Sequence, residues 1–345
     1  MKPLKIFGWA SDHQGCGNYR IGLPMWALSR FGHDALAFSV LNVELPDDLD
    51  ILVGQLVAGP QRSAVWQELA ARKGRSFGMI FEMDDDVWSI EQANPSYSHY
   101  AEHGETMKQN IRVADAITVT NDRLAEVVSE YNDNVFVLPN CFDAAMLDLD
   151  RPRNERLTVG WAGGSSHHGD FASAQKDIAT FFRKNPDIDS HFMGVNYSEL
   201  VGRRDGRFSP WQQNLVEYMR ALDFDLGIAP LAYNRFNRSK SDLKFVEYAS
   251  VGIPVVASDF GPYADSIQHG LTGMKVKHPH EWARYLNQLA KDEAMRTEIG
   301  DNARAWASTR TIQANFWRWE DAYRSVLGVD AAAAVPTAEE LAAAH

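Results

Sequence analysis

Residues 237–258 read NRSKSDLKFVEYASVGIPVVAS, and the order of elements in this stretch decides the fold. Its middle predicts a helix with Ser241 as N-cap and Gly252 just beyond its end, and PVVAS predicts a buried strand. Two basic residues, Arg238 and Lys240, precede the helix, where the dipole is already positive and acidic residues are usual. A negatively charged ligand at the helix N-terminus would remove this conflict.

Lys244 and Glu247 lie on one face of the predicted helix. Lys244 would join Arg238 and Lys240 around free backbone N–H groups, which favours a ligand with several negative charges, such as a diphosphate. Glu247 lies about one turn deeper, where a carboxylate suits hydroxyl donors such as a ribose diol. Solvated charges with one helix ion pair are the alternative, and the spacing alone does not distinguish the two.

Short apolar strands alternate with helices along the rest of the chain. A charged, proline-containing stretch at 148–156 divides them into two units, each typical of a parallel sheet covered on both faces. The predicted strands are 4–9, 35–40, 50–56, 76–83, 116–120 and 134–139, then 157–163, 190–195, 224–230 and 254–258. The predicted helices are about 19–31, 61–73, 100–113, 121–131, 171–184, 211–222, 242–251, 281–291 and 311–327.

We therefore predict an α/β fold with two Rossmann-like, doubly wound domains facing each other across a cleft. The first domain is predicted at residues 1–150 and the second at 151–310, followed by a helix at 311–328 and a flexible tail at 329–345. Ligands bind at the carboxyl edge of such sheets, so the cleft between the domains is the expected site.

Charge and composition limit the classes of partner that we expect the first domain to bind. Of the net charge of −12 on 345 residues, −11 falls in residues 1–150, which hold 11 Lys and Arg against 22 Asp and Glu. This balance argues against a nucleic acid or an anionic membrane as partner of the first domain. The chain has two cysteines and no apolar run of the roughly 20 residues that a membrane helix needs, so we expect a cytoplasmic protein.

Several motifs together resemble GT-B glycosyltransferases. SKSDLKFVEYASVGIPVVAS (239–258) and GPYADSIQHGLTG (261–273) are similar to the donor-binding region of the retaining branch, the group 1 or family 4-like enzymes. FDLGIAPL (224–231) resembles the strand leading into the phosphate site. VFVLPNCFD (135–143) resembles the exit from the first domain, and GCGNYR (15–20) lies where the family has its glycine-rich first loop.

The resemblance implies transfer of a sugar, with retention, from a nucleotide-diphosphate sugar to an acceptor hydroxyl. It implies no required cofactor or metal, a UDP-sugar as the commonest donor, and a last helix that returns to the first domain. The acceptor is expected to be neutral or basic: a sugar, a small molecule or a protein side chain. The residues expected to bind the donor diphosphate are Gly15, Gly17, Gly163, Gly164, Arg238, Lys240, Ser241 and Lys244.

Two departures from the family bear on the site. Glu247 matches the second of two carboxylates separated by seven residues, the one that contacts the ribose, but the first falls at Ser239. The Arg and Lys usual after the first strand of the second domain are missing from GGSSHHGDF (163–171). We expect Arg238, Lys240 and Lys244 to supply this charge, with His167 or His168 as further candidates.

Three consecutive carboxylates, Asp84, Asp85 and Asp86, follow the strand predicted at 76–83 and are expected to face the cleft. They could hold a metal, be a solvated loop, or place Asp84 or Asp85 at the acceptor or sugar as a catalytic residue together with Lys244. Their mutual repulsion should raise at least one pKa. Trp211 is a candidate for stacking on the nucleobase, with core packing as the alternative.

Three other functions stay open at this point. A GT-B enzyme that glycosylates a hydroxymethylated base in DNA is one, although the acidic first domain argues against it. A non-catalytic sugar-nucleotide binder is the second, and Ser239 in place of the first carboxylate favours it. A nucleotide-sugar epimerase of GT-B architecture is the third.

Overall fold

The computed structural model describes residues 2–40, 45–152, 154–164 and 167–329. Two parallel six-stranded sheets form the frame, with strand orders β2-β1-β3-β4-β5-β6 and β12-β11-β10-β7-β8-β9. The first sheet contains β1 Lys5–Trp9, β2 Asp34–Phe38, β3 Ile51–Gln55, β4 Gly78–Glu82, β5 Ala116–Val119 and β6 Val135–Val137. The second contains β7 Thr158–Ala162, β8 Asp189–Met193, β9 Arg207–Ser209, β10 Leu226–Ala229, β11 Val255–Ser258 and β12 Met274–Val276.

Helices cover both sheets. Those of the first domain are α1 Gly15–Gly17, continued by a π-helical turn over Asn18–Gly22, then α2 Leu23–Arg30, α3 Pro60–Ala71, α4 Tyr97–Arg112 and α5 Asp122–Val128. Those after it are α6 His168–Lys184, α7 Leu215–Arg220, α8 Arg235–Arg238, α9 Leu243–Ser250, α10 Pro262–Ser266, α11 Glu281–Lys291, α12 Glu293–Ala307, α13 Ile312–Asn315 and α14 Trp317–Val326. The predicted doubly wound α/β fold is confirmed.

The central strands β3, β4, β7, β10 and β11 are buried along their whole length, which explains their continuous apolar runs. All six strands predicted for the first domain and all four predicted for the second are present. The prediction missed β9 and β12, the two edge strands of the second sheet. β9 reads RFS and β12 reads MKV, so the polar residues in each interrupt the apolar run that a pattern could reveal.

The end of the chain returns to the first domain, as predicted. Phe316 stacks on Phe31, the C-cap residue of α2, with ring centroids 3.7 Å apart. Arg324 donates to the carbonyl oxygen of Lys2 at 2.9 Å. The predicted single helix is divided at Phe316 into α13 and α14, and residues 330–345 of the predicted tail lie outside the described part of the chain.

The start of α9 differs from the prediction. Asp242, not Ser241, is the N-cap residue, and it makes no side-chain capping bond. Its carboxylate is engaged instead by Arg310, at 2.9 and 3.1 Å, and by the Ser266 hydroxyl at 2.6 Å. At the other end of the helix, Gly252 has φ +70° and follows the C-cap Val251, which confirms the predicted glycine stop.

No helix within the described ranges has the length and apolar character needed to cross a lipid bilayer.

Candidate active site

Lys244, on the first turn of α9, reaches back to the end of β7. Its Nζ donates to the carbonyl oxygen of Ala162 and lies 4.7 Å from the centroid of the Trp161 ring. Burial lowers the pKa of this ammonium to about 8. Among the described residues, no carboxylate lies within ion-pair distance of it, so this buried ammonium has no anionic partner there.

Gly163 makes room for this lysine. A Cβ at Gly163 would lie 2.7 Å from Lys244 Nζ and 2.7 Å from the Trp161 ring, so any side chain there would displace one of them. Gly164 follows with open space beside it, while Ser165 and Ser166 lie outside the described residues.

Lys240 lies at the contact between the two domains. Its Nζ is 3.4 Å from Asp85 Oδ2 of the first domain and 4.3 Å from the centroid of the Phe236 ring. Burial disfavours its charge, but the nearby carboxylates of Asp85, Asp170 and Asp84 raise the pKa of Lys240 above its ordinary value. Lys240 and Lys244 are thus two buried cations at one sheet edge.

The other two members of the predicted cationic cluster lie elsewhere. The Arg238 side chain is 58% exposed and pairs with Glu126 of the first domain at 3.5 Å. Ser241 lines a separate cavity of about 220 Å³ together with Arg123, Asp265 and Arg310. The structure therefore brings Lys240 and Lys244 together, whereas the Arg238 side chain pairs with Glu126 and Ser241 lines a different cavity.

The first-domain glycines have different surroundings. Gly15 lines the cleft, and a Cβ there would meet open space. A Cβ on Gly17 would lie 1.9 Å from the backbone oxygen of Asp12, so the close packing of its own loop requires Gly17.

Glu247 lies on α9 one turn beyond Lys244 and accepts two hydroxyl groups. Tyr19 of the first domain donates to Oε1 at 2.9 Å, and Tyr218 donates to Oε2 at 3.0 Å. Burial raises the pKa of this carboxyl, although Lys244 and both tyrosines oppose the rise. The carboxylate already receives hydroxyl donors, which is the chemistry that a ribose diol would offer.

Trp211 and Glu247 line one cavity between the domains. The cavity measures about 60 Å³, and Gly15, Tyr19 and Tyr218 also line it. Trp211 is 41% exposed, and its Nε1 donates to Gln14 of the first domain at 3.2 Å. The helix predicted to start at Trp211 begins only at Leu215, so the predicted position of Trp211 at a helix start is wrong. The exposure of its side chain excludes the alternative of core packing.

The three carboxylates after β4 have separate surroundings. Asp86 is fully buried and lies 3.7 Å from Arg235, while Asp84 is buried and Asp85 faces Lys240. Burial raises the pKa of Asp85 to about 6, with smaller contributions from Asp84 and Asp86. The predicted rise is therefore confirmed, but burial and not mutual repulsion is its main cause. In the described residues, no group of three or more His, Cys, Asp or Glu side chains is arranged to hold a metal ion.

His167 and Asp170 join the lysines at the same edge. His167 Nδ1 lies 2.7 Å from Asp170 Oδ2, and Lys244 and Lys240 are close enough to influence its pKa. Asp170 was not predicted as a site residue. Its position three residues after His167, near a helix start, could have indicated that the two side chains meet. The side chain of His168 lies outside the described part of the structure.

The domains are close together at this site. A cavity of about 60 Å³ is smaller than the roughly 300–1,000 Å³ of typical ligand pockets. Contacts between the domains include Tyr19 with Glu247, Lys240 with Asp85, and the Asn121 amide with the carbonyl oxygens of Ser239 and Lys240 at 3.0 and 3.1 Å. These contacts hold the facing edges of the two domains together around the cavity.

Comparison with family models gives a match within the second domain. Residues 243–306, which begin with α9, match the family described as Glycosyl transferases group 1. A comparison with curated proteins finds no match.

Solved structures share the fold. Sucrose-phosphate synthase from Thermosynechococcus elongatus has a TM-score of 0.67 at 13% identity, covering 94% of this chain and 99% of that one. Anabaena HepE, solved in complex with UDP, has a TM-score of 0.62 at 14% identity, covering 94% and 100%. S. aureus TarM has a TM-score of 0.59 at 13% identity over 79% of this chain, which spans only 55% of TarM. The resemblance to GT-B glycosyltransferases is thus confirmed, in the sequence of residues 243–306 and in the GT-B fold of both domains.

Proposed function

We propose that the chain is a glycosyltransferase that moves a sugar, with retention, from a nucleotide-diphosphate sugar to an acceptor hydroxyl. The second domain binds the donor, and the acceptor enters from the first domain. UDP is the first nucleotide to test, because structures of Anabaena HepE were solved with UDP and with UDP-glucose.

One observation carries this proposal: two buried lysines and a buried glutamate lie on or beside α9 in the order that a nucleotide diphosphate requires. Lys240 and Lys244 are placed for the phosphates, Glu247 for the ribose diol, and Trp211 beside Glu247 for the base. Buried cations are costly unless an anion compensates them, so this edge is suited to a diphosphate.

The chemistry follows from where charge develops. As the bond to the sugar breaks, negative charge grows on the leaving diphosphate, and preorganised cations lower the barrier. Lys244 and Lys240 supply this stabilisation, and the leaving phosphate accepts the proton of the acceptor hydroxyl. Asp84 and Asp85, at the facing edge of the first sheet, are proposed to orient the sugar or the acceptor near the reacting carbon.

Thermal unfolding with UDP, GDP, CDP, ADP and TDP and their common sugar conjugates tests the donor site. A ligand at about 100 times its Kd adds about 2.7 kcal/mol to the free energy of unfolding. For domains of this size each kcal/mol raises the midpoint by roughly 2–4 °C, so binding gives a measurable shift. A shift with one base identifies the donor, whereas no shift with any of them at millimolar concentration contradicts the proposal.

Ser239 favours a second candidate, a sugar-nucleotide binder without activity. It occupies the place of the first family carboxylate, is buried, and its carbonyl oxygen is engaged by Asn121 of the first domain. The two functions differ in turnover: the transferase hydrolyses its donor slowly even without an acceptor, and the binder releases it unchanged. Nucleotide release from the donor identified above, followed by chromatography, separates them.

A further inference from the structure

A histidine–aspartate pair at the start of α6 lies beside the two lysines. His167 Nδ1 is 2.7 Å from Asp170 Oδ2. Asp170 is 3% exposed, and its other oxygen accepts the backbone N–H of Ala232 at 2.9 Å and the Asn237 amide at 2.5 Å. These bonds fix the carboxylate, and the carboxylate fixes the orientation of the imidazole.

Trp161 connects this pair to Lys244. The His167 ring meets the Trp161 ring edge-on, with centroids 5.8 Å apart, and Lys244 Nζ lies 4.7 Å from the centroid of the same indole. Among the described residues, the second imidazole nitrogen of His167, Nε2, has no hydrogen-bond partner. His167 therefore presents one unengaged nitrogen within the group of residues proposed to bind the donor phosphates.

Burial, assisted by two neighbouring lysines, lowers the pKa of His167 and keeps it neutral in the unliganded protein. Burial lowers its pKa to about 4, and Lys244 and Lys240 contribute to the decrease while Asp170 opposes it. Tyr197 and Tyr263 also lie near Asp170 and are neutral, because burial raises the pKa of each hydroxyl. The charged groups that act on His167, besides its burial, are thus one carboxylate and two ammonium groups.

The bonding requirements change when a diphosphate arrives. A carboxylate only accepts hydrogen bonds, so Nδ1 must carry a proton toward Asp170. A phosphate oxygen of a bound nucleotide sugar also only accepts, so Nε2 must carry a proton to bond with it. An imidazole with a proton on both nitrogens is the imidazolium cation.

We propose that His167, positioned by Asp170, is a third cationic ligand of the donor diphosphate and takes up one proton from solvent when the donor binds. It would replace the arginine and lysine that are missing from the loop at 163–171. This inference rests on the proposed function, since it assigns a role within the donor site.

The sign of the pH dependence follows. A diphosphate within about 4–6 Å raises the pKa of the bound imidazole by several units. Donor affinity then increases as pH falls from the pKa in the complex toward the pKa of about 4 in the free protein. The gain is at most about tenfold per pH unit in that window.

Calorimetric titration with UDP-glucose tests the proposal. Its diphosphate has no terminal phosphate group titrating near pH 6, unlike UDP itself. Titrations at about pH 6.5 in two buffers of different ionisation enthalpy give the number of protons taken up per ligand. His167→Gln keeps a donor for the phosphate but has no proton to gain, so we expect binding to persist with about half a proton to one proton less uptake than the wild type.

His191→Gln is the matched control. His191 pairs with Asp223 at 2.6 Å as His167 does with Asp170, but its Nε2 is already bonded to the Ser209 hydroxyl at 2.8 Å. This variant should take up as many protons as the wild type. Equal uptake by His167→Gln and the wild type overturns the role of His167 and leaves the proposed function intact. If the wild type binds no nucleotide sugar in the thermal panel, the role of His167 and the proposed function are both contradicted.

Discussion

The carboxyl edges of the two sheets face each other with opposite charge. The first edge carries Asp84, Asp85 and Asp86, and the second carries Lys240 and Lys244. Burial disfavours the charged form of side chains at both edges. It raises the pKa of Asp85 to about 6 and lowers the pKa of Lys244 to about 8. This difference shows which edge can accept an anion: among the described residues of the second edge, the ammonium of Lys244 has no carboxylate within ion-pair distance.

The two edges meet at the pair of Asp85 and Lys240. For Lys240 the attraction of the carboxylates outweighs burial, so its pKa is raised, whereas for Asp85 burial outweighs the attraction of Lys240. The ammonium is therefore the more firmly charged member of the pair. A diphosphate that binds Lys240 competes with a carboxylate that is easily neutralised.

Removing the unpaired cation from the second edge should have the largest effect. Lys244→Ala is expected to lower turnover by about 10²–10³, because one preorganised charge at the leaving group is lost. Turnover is measured with the donor found in the thermal panel. Lys275→Ala is the control, since Lys275 Nζ also donates to a backbone oxygen, that of Ala264, at 2.9 Å, but its charge is paired with Asp259. If turnover of Lys244→Ala stays near that of the control, Lys244 does not stabilise the leaving group.

Neutralising Glu247 on the second edge should have an intermediate effect on donor binding. Glu247→Gln replaces charge-assisted hydrogen bonds with neutral ones, a loss of about 1 kcal/mol, so we expect roughly five- to tenfold weaker UDP binding in calorimetry. Turnover at saturating donor should change little. Glu320→Gln is the control, because Glu320 and Glu247 are each 7% exposed and Glu320 pairs with Arg324 on the last helix. Unchanged affinity in Glu247→Gln contradicts the ribose role.

Removing the competing carboxylate from the first edge should have the smallest effect, in the opposite direction. Asp85→Asn frees Lys240 from a partly exposed ion pair worth at most about 1 kcal/mol, so UDP should bind up to about fivefold more tightly at neutral pH. Because the pKa of Asp85 is about 6, the advantage over the wild type should decrease as pH falls through that value.

Asp265→Asn is the control for this prediction. It removes a different ion pair between the domains, that of Arg123 with Asp265, without releasing Lys240. Equal tightening in both variants would assign the effect to general opening of the cleft. Weaker binding in Asp85→Asn would show that Asp85 supports the donor and does not compete with it.

Much of the fold was predictable because it depends on local patterns. Strands β3, β4 and β5 of the first sheet are buried apolar runs, and Gly252 follows the end of α9 at a position with a positive φ. The shared face of Lys244 and Glu247 follows from helical spacing alone. The edge strands β9 and β12 were missed because Arg207, Ser209 and Lys275 interrupt their apolar character, whereas β6, equally short, reads VFV and was predicted.

The sequence by itself determined two α/β domains, a helix with a lysine and a glutamate on one face, and a missing carboxylate at Ser239. Only the tertiary structure decided which charges meet. Arg238 pairs with Glu126, 112 positions away, Asp242 is taken by Arg310, 68 positions away, and Tyr19 reaches Glu247 over 228 positions. The physical reason is that the charge of a side chain is local, whereas its burial and partners depend on contacts between residues distant in the chain.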